Sequence, residues 1–422
     1  MSKTTLGIQG TRFTINGELV YSEIPKSNPI AHGLLMNARF IQGVFDDAAD
    51  PSRFIRWGRD RWDPEANTDD LIAALPEWYR YGLRAFTVGF QGGGPVYTIP
   101  NPGIDNNPFG EDGKRIDPKY LARMDRLIRA ADALGMVVIV SYFYNGQAQR
   151  MRDGRAFRDA TITASRFLKE NGYTNVMIEV ANENEIGQFR TRPVISNEES
   201  MVLLMDLART ESGGMPVGCS GGGGTAFPQI VKASDVVLIH GNGLSRQCYY
   251  NLIHRVQSLA PGRPVLCNED SHAIGQLKVA YATGTSWGYY NNFSKQEPPT
   301  NWGVLPGDDQ FFAHRMAEGI GIPLDPVPEA DQFVLQGLEP ETEYQGKRWI
   351  RLACLYPEAV DFVEFLRNGK HYYTCYDEPF MVDWHCNYSQ GAVETQSDDN
   401  EWSARIHLRS GEILERSAPV PR

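Results

Sequence analysis

The sequence lacks the features that mark several large classes of protein. Its 422 residues contain no run of Lys or Arg, and the formal net charge is −11 at pH 7. Nucleic-acid-binding surfaces are usually basic, so we expect no nucleic-acid partner. No stretch approaches about 18 consecutive apolar residues, and the first residues form no apolar signal-peptide core, so we expect a soluble chain with no membrane partner. A trimmed signal peptide would leave the same sequence, so the localisation stays open.

Cysteine is scarce and irregularly spaced. The six Cys residues include no CxxC pair, and several lie in apolar, strand-like runs where buried free thiols are common. We therefore expect neither a disulfide framework nor a zinc site. The four glycines at 221–224 lack the Lys and Ser/Thr of a phosphate-binding P-loop, and they indicate a tight loop that lets a substrate approach the backbone. We expect no cofactor.

Strand and helix patterns alternate from residue 34 to residue 319. Each of eight short apolar runs is followed by a helical pattern or a long loop, and Asp117-Pro118 with Gly135 brackets one of the helices. Eight βα units in about 290 residues match the size of a (β/α)8 TIM barrel. A doubly wound open sheet is the main alternative, and the absence of a GxGxxG turn after the first strand argues against it. The predicted strands are residues 34–41, 83–90, 136–140, 175–181, 216–219, 236–239, 264–267 and 286–290.

The two ends of the chain have strand patterns only. Residues 12–20 alternate around Asn16-Gly17, which predicts a β-hairpin with a type I′ turn. A Pro-rich linker spans residues 323–328, and about seven short strand patterns follow it, which predicts a β-sandwich. We therefore predict an α/β chain of two domains, a barrel with its hairpin at 1–325 and an all-β sandwich at 330–422.

Two of the predicted barrel strands end in carboxylates. The run from Asn175 ends in Asn-Glu-Asn-Glu at 182–185, and the run from Pro264 ends in Asn268-Glu269. Carboxylates at the end of a buried strand are costly unless they are solvated or paired. In a parallel barrel this end of the strand carries the catalytic groups. The two segments are therefore the first candidates for an active site.

These two strand ends resemble the acid/base and nucleophile strands of retaining glycoside hydrolases of the (β/α)8-barrel clan, which includes cellulases and mannanases. The resemblance implies that Glu183 is the proton donor, Glu269 the nucleophile and Asn182 the residue that holds the sugar 2-hydroxyl. Glu185 competes for the acid role because Asn184-Glu185 repeats the dipeptide, and Glu183 is preferred because it lies nearer the strand end. The implied substrate is a β-linked glycan or glycoside, cleaved by double displacement with retention.

The same resemblance implies contacts with the substrate at the barrel rim. His240 ends the sixth strand, where the clan carries a His that supports the nucleophile region, but Asn242 replaces the clan's Tyr two residues on and leaves the nucleophile's partner open. Trp287 stands where such enzymes place a Trp under the sugar, unless it is a core Trp. Arg39 is predicted beside the nucleophile, with a structural ion pair as its alternative. The other predicted rim residues are Tyr142, Tyr144, Asn145, Gln91, Asp270 and His272.

Two other functions remain as alternatives. A non-catalytic carbohydrate-binding barrel is one, although such a protein would have no need of both Glu residues. A metal-dependent hydrolase is the other, but no His-x-His follows the first strand as in the usual metal-dependent barrels. Its metal would lie at the barrel mouth among Asp46, Asp47, His240, Asp270 and His272.

The end of the chain carries a second resemblance. Residues 363–370, continuing to residues 378–380, resemble the bacterial immunoglobulin-like modules that are attached to carbohydrate enzymes. This implies an Ig-like sandwich for the C-terminal quarter and says little about its function.

Overall fold

The computed structural model describes residues 3–54, 61–95, 103–383 and 391–421. The chain opens with a small antiparallel sheet of β1 (Leu6–Gln9), β2 (Arg12–Ile15) and β3 (Glu18–Leu19). Asn16 and Gly17 join β2 to β3 with φ values of 55° and 89°. Two consecutive left-handed residues are what a type I′ turn requires, so the predicted hairpin is confirmed.

Eight short parallel strands follow, and each overlaps one of the predicted strands. Six of them form one sheet in the order β11-β4-β5-β6-β7-β8, and β9 pairs with β10. The strands are β4 (Asn37–Arg39), β5 (Ala85–Gly89), β6 (Val137–Phe143), β7 (Val176–Ala181), β8 (Val217–Gly218), β9 (Val237–His240), β10 (Val265–Glu269) and β11 (Gly288–Tyr289).

Backbone hydrogen bonds join the strand pair to both edges of the six-stranded sheet. The Cys267 N–H donates to the Ser286 carbonyl at 2.9 Å, which links β10 to the segment before β11. On the other side, the Asp235 N–H donates to the Val217 carbonyl on β8 at 2.9 Å, just before β9 begins. The chain is thus mixed α/β with its parallel strands in a cyclic order, which is consistent with a (β/α)8 barrel.

Helices alternate with these strands. Asp117 caps α2 by accepting from the Lys119 N–H, Pro118 is its first residue, and Gly135 ends it at φ 84°, as the sequence predicts. The amphipathic pattern from Asp69 to Tyr81 predicts a helix, and the helix observed there begins earlier, at Pro64, because Asp63 caps it. The helices are α1 (Pro64–Arg80), α2 (Pro118–Leu134), α3 (Gly154–Glu170), α4 (Pro193–Ser196), α5 (Glu198–Glu211), α6 (Pro228–Ala233), α7 (Arg246–Leu259), α8 (Gln276–Thr283), α9 (Asn292–Lys295) and α10 (Asp308–Ile320).

The C-terminal region consists of antiparallel strands. They form a four-stranded sheet in the order β16-β15-β18-β19 and two smaller pairs, β12–β14 and β13–β17, and this arrangement suggests a sandwich. One of the predicted strand patterns after the Pro-rich linker spans residues 381–386, and it lies largely outside the described residues. The strands are β12 (Phe333–Gln336), β13 (Lys347–Arg348), β14 (Arg351–Cys354), β15 (Val360–Arg367), β16 (Lys370–Cys375), β17 (Val393–Glu394), β18 (Glu401–Leu408) and β19 (Ile413–Pro419).

Strand β14 faces two hydrophobic cores. Leu352 and Cys354 belong to the core of the C-terminal strands, whereas Ala353 and the following Leu355 pack into the core of the α/β region. Successive side chains of a strand point to opposite faces, so one short strand serves both sides. Buried ion pairs cross the same boundary, with Arg351 Nε 3.0 Å from Asp308 Oδ2.

Two further observations concern the described residues as a whole. Within them, no helix combines the length and the apolar character needed to cross a membrane. The five described cysteines, Cys219, Cys248, Cys267, Cys354 and Cys375, are free thiols.

Candidate active site

Three strand ends and one loop bring charged side chains to one face of the parallel strands. Arg39 is the last residue of β4, His240 the last of β9 and Glu269 the last of β10, while Glu183 follows β7 by two residues. All four side chains are buried. The carboxyl ends of parallel strands in a βα series meet at one face, and catalytic groups of such barrels lie there.

Glu269 is held by a cation and an amide. Arg39 Nε lies 2.6 Å from Glu269 Oε2, and Asn242 Nδ2 donates to Glu269 Oε1 at 3.1 Å. Through Nη2, Arg39 also donates to Asn182 Oδ1 at 2.6 Å. Both contacts to Glu269 favour the charged form of its carboxylate. Asn242 therefore occupies the place beside Glu269 that the sequence left open.

Glu183 lies between a histidine and a strained turn. Its Oε1 is 2.9 Å from His240 Nδ1, and its N–H donates to Ser220 Oγ at 3.1 Å. The backbone of Glu183 is left-handed, with φ 52°, which is uncommon for a residue with a Cβ and is often found at functional sites. Glu185 is held elsewhere, because its Oε1 accepts the Gly222 N–H at 2.9 Å. Glu183, and not Glu185, stands beside His240.

A β-bulge at the end of β10 aims two neighbouring side chains toward Arg39 and Glu179. The pairing with β9 skips Asn268, so Cys267 and Glu269 take successive partners. Neighbouring residues of a regular strand point to opposite faces, and a bulge changes that direction. Asn268 Nδ2 donates to Glu179 Oε1 at 2.8 Å while Glu269 contacts Arg39, so both side chains lie in the interior.

The two carboxyl groups have different environments. Burial, followed by the charge of Glu269, raises the pKa of Glu183 above its ordinary value. Burial lowers the pKa of His240, but the charge of Glu269 and the hydrogen bond to Glu183 outweigh it, so this pKa lies above its usual range. Both shifts favour keeping a proton on the Glu183–His240 pair, while the contacts of Glu269 favour its charged form.

In the part of the chain that the structure describes, the members of the predicted Asp/His metal cluster do not come together. Among the described residues, the group whose possible ligand atoms all lie within 4.8 Å of one another is Glu183, His240 and Glu269, and Arg39 already neutralises Glu269 there. The other predicted members are engaged elsewhere. Trp62 Nε1 donates to Asp46, Arg53 Nε donates to Asp47, Trp287 Nε1 donates to Asp270, and the His272 ring lies against the Phe293 ring.

Two predicted rim aromatics point away from Glu183 and Glu269. The Tyr142 hydroxyl lies 3.0 Å from Ser165 Oγ on α3, so this side chain faces the helix layer. Trp287 has no exposed surface, and its ring packs 5.7 Å from the Phe312 ring of α10. Both are placed as core residues, which corrects the predicted position of Tyr142 and matches the core alternative for Trp287.

Asp270 and His272 follow Glu269 but do not join it. Asp270 Oδ2 accepts the Trp287 Nε1–H at 2.8 Å, and burial raises the pKa of Asp270 to about 7. Burial lowers the pKa of His272 to about 4, and the charges that act on it are those of Asp308, Arg351 and Asp309. The β10 strand has ended, so the chain turns toward the C-terminal region here, and contact of either residue with a substrate remains only a prediction.

The remaining predicted residues lie along the rim. The charges of Glu269 and Glu183 reach the Tyr144 hydroxyl, and burial together with these charges raises the Tyr144 pKa above its usual range. Gln91 Oε1 accepts the Tyr144 N–H at 3.0 Å and so fixes the position of that loop. Asn145 is half-buried and directly faces the Cα of Gly187.

Several residues of the site are absent from the sequence-based prediction. Glu179 on β7 is fully buried and contacts four polar groups beneath the pair. A carboxylate in the middle of an otherwise apolar strand was the available indication. Tyr290, with Arg39 Cζ 5.8 Å from its ring centroid, had no such indication. Ser220 and Asn268 reach the site only through the loop after β8 and the β10 bulge, which the sequence does not reveal.

Comparison with known proteins adds distant structural neighbours. No protein-family model matches the chain, and no curated protein matches it. An endo-β-1,4-mannanase from Thermotoga petrophila aligns with 92% of this chain and 97% of its own at 12% identity, with a TM-score of 0.45. β-Glucuronidases from Parabacteroides merdae and Bacteroides uniformis align with 99% of this chain at 10% identity, with TM-scores of 0.43 and 0.46. The chain spans about half the length of these two glucuronidases, 50% and 48%. At such low similarity, any function has to be inferred from the chain's own residues.

Proposed function

We propose that this protein is a retaining glycoside hydrolase that cleaves a β-linked glycan or glycoside, with Glu183 as acid/base and Glu269 as nucleophile. The observation that carries the proposal is the pair itself, since carboxyl oxygens of Glu183 and Glu269 lie within 4.8 Å of each other. Retaining enzymes hold their two carboxyl groups about 5–5.5 Å apart, whereas inverting enzymes leave about 6.5–9.5 Å for a water molecule. The short separation supports double displacement.

The environments of the two groups support the assignment of roles. A general acid must carry a proton near neutral pH, and burial raises the pKa of Glu183 in that direction. A nucleophile must stay ionised, and Arg39 and Asn242 stabilise a charged Glu269. Had both carboxyl groups lacked a cation, one proton would have been shared between them instead.

The proposed reaction has two steps. Glu183 donates its proton to the glycosidic oxygen while Glu269 attacks the anomeric carbon, so the leaving group departs as an alcohol and a glycosyl ester forms on Glu269. Glu183, now a carboxylate, then takes a proton from water as that water attacks the anomeric carbon and releases Glu269. Arg39 orients Glu269 and also Asn182, the residue that we assign to the sugar 2-hydroxyl.

We also propose two domains, a (β/α)8 barrel at 1–325 that carries the site and an Ig-like sandwich at 330–422. Support comes from the change from parallel to antiparallel strands and from the separate core of the C-terminal strands. The sandwich is assigned no binding role.

The test begins with hydrolysis of a panel of 4-nitrophenyl β-glycosides and of soluble β-glucan and β-mannan. For the best substrate, ¹H NMR should show that the first product has the β configuration. Glu269→Gln should abolish turnover. Glu183→Ala should lose at least about a thousandfold on substrates with poor leaving groups, and azide should restore turnover with formation of a β-glycosyl azide.

Glu185→Gln is the matched control, since it alters a carboxylate two residues away that binds the Gly222 amide. It should retain most of the activity, and EDTA should leave the wild-type rate unchanged. An α product would make Glu269 a general base instead. Full activity in Glu269→Gln would overturn the assignment of Glu269 as the nucleophile. No hydrolysis of any substrate together with glycan binding would replace the proposal with a non-catalytic role.

A further inference from the structure

We propose that Glu179 is a positioning residue that fixes the tautomer of His240, so that the proton shared by His240 and Glu183 is available to the leaving group. This inference rests on the proposed role of Glu183 as the acid. It concerns a carboxylate that lies beneath the two proposed catalytic Glu residues and does not touch the substrate. Glu179 sits on β7, four residues before Glu183, with no exposed surface.

Three neighbours hold the Glu179 carboxylate. Its Oε1 accepts the Ser220 hydroxyl at 2.7 Å and Asn268 Nδ2 at 2.8 Å, and its Oε2 lies 3.7 Å from Arg39 Nη1. Two donors and a guanidinium stabilise a buried negative charge that would otherwise be costly. They also leave the carboxylate little freedom to rotate.

Each of these neighbours in turn holds part of the catalytic pair. Ser220 Oγ accepts the N–H of Glu183 at 3.1 Å, which supports the left-handed turn there. Asn268 directly precedes Glu269, and Arg39 Nε contacts Glu269 Oε2 at 2.6 Å. Glu179 is therefore one contact away from both proposed catalytic groups.

The relation of Glu179 to His240 decides which ring nitrogen carries hydrogen. His240 Nε2 lies 3.9 Å from Glu179 Oε1 and forms no hydrogen bond, while Nδ1 lies 2.9 Å from Glu183 Oε1. A nitrogen lone pair aimed at a carboxylate is repelled, whereas an N–H is attracted, so Nε2 holds the hydrogen. Nδ1 of the neutral ring is then an acceptor, and Glu183 must be the donor.

Four charged groups face His240, and their signs determine how strongly the pair holds its proton. They are Glu179, Glu183 and Glu269, which are acidic, and Arg39, which is basic. Glu179 also acts on the Cys219 thiol, whose pKa is raised by burial and then by the Glu179 charge. The negative charge of Glu179 stabilises the proton that His240 and Glu183 share. Without that charge, His240 and Glu183 should lose the proton at a lower pH.

The kinetic test compares kcat/KM against pH for wild type and Glu179→Gln, on the glycoside that the wild type hydrolyses best. An alkyl leaving group requires an acid. For such a substrate the alkaline limb of the profile, where kcat/KM falls as the pH rises, should shift to lower pH by about one unit in Glu179→Gln. With a 2,4-dinitrophenyl leaving group, which needs no acid, the limb should not move. Ser220→Ala is the matched control, because it removes a donor to Glu179 but keeps the charge, so it should lower the rate without moving the limb.

A second measurement requires no activity. In wild-type protein labelled with ¹⁵N-histidine, with the His240 signal assigned by its loss in His240→Gln, Nε2 should stay protonated across the pH range in which Nδ1 responds. A deprotonated Nε2 at neutral pH overturns the proposal, as does an alkaline limb that is unmoved in a folded Glu179→Gln. If no glycoside is hydrolysed but Nε2 is protonated as expected, the proposed function fails while the role of Glu179 in positioning His240 stands.

Discussion

The Arg39 guanidinium lies 2.6 Å from the Glu269 carboxylate through Nε, and its Nη2 donates to Asn182 at the same distance. A single planar group thus sets the relative position of two side chains from different strand ends. Lysine carries its three N–H donors on a single nitrogen and lacks the planar fork with which Arg39 meets both partners. Arg39→Lys should therefore lower kcat/KM about a hundredfold, an effect comparable to the loss of one preorganised donor.

Arg84→Lys is the control for that prediction. Arg84 is also buried and donates to the Tyr79 and Leu83 carbonyls, but it precedes β5 at the opposite end of the strands. It should lower stability in urea while leaving kcat/KM within about threefold of wild type. Equal losses of activity in the two variants would mean that Arg39 acts only through stability.

Tyr142 and Tyr144 differ by two positions but face different parts of the molecule. The Tyr142 hydroxyl contacts Ser165 on α3, whereas the Tyr144 hydroxyl lies within reach of the charges of Glu183 and Glu269. Tyr142→Phe should cost about 1 kcal/mol of the free energy of unfolding, the net value of one hydrogen bond, and keep full activity. Tyr144→Phe should lower kcat/KM about tenfold with little change in stability. Urea titrations and kinetics on the same preparations separate the two, and a reversed pattern would contradict the assignment.

Asp270 makes stability depend on pH. Its pKa rises from 3.8 in the unfolded chain to about 7 in the fold, because the side chain is buried. The folded state therefore holds a proton that the unfolded state releases, so stability is full below about pH 4 and falls as pH rises toward 7. The decline from this group amounts to at most about 4 kcal/mol. Asp270→Asn should flatten this part of the profile in urea titrations between pH 5 and pH 8.

Asp361→Asn serves as the reference for this measurement, since Asp361 is an exposed carboxylate on β15. Its profile should follow that of wild type. A decline of unchanged size in Asp270→Asn would show that other carboxyl groups, such as Glu378 with its pKa raised by burial to about 7, dominate the pH dependence.

Local sequence patterns predicted most of the fold. Asp117-Pro118 and Gly135 bracket α2 because a cap, a first-turn proline and a left-handed glycine act through a few neighbouring residues. The same holds for the Asn16-Gly17 turn. Each of the eight parallel strands was found from its apolar run alone, since a strand that is buried on both faces needs continuous hydrophobic residues.

The site was less predictable, because it depends on departures from regular geometry. Period-two alternation does not predict that Asn268 and Glu269 both point inward, because this arrangement results from a bulge. Nor does it say that Tyr142 turns toward α3 while Tyr144 lies near the two Glu residues. Asn184-Glu185 repeats Asn182-Glu183 in sequence, and the repeat does not reveal that the backbone at Glu183 is left-handed. Asn242 contacts Glu269 from a loop, and no local sequence rule predicts that contact.

The two-faced strand β14 has a consequence for protein engineering. Ala353 and Leu355 fill the α/β core, and Arg351 neutralises a buried Asp308 on α10. Cutting the chain at the Pro-rich linker would therefore expose apolar surface of the α/β core. It would also leave the Asp308 carboxylate without its cation, which costs several kcal/mol when the carboxylate stays buried. The sequence suggests two independent modules, but this boundary joins them. A shortened version of the protein would need the boundary redesigned before the C-terminal strands were removed.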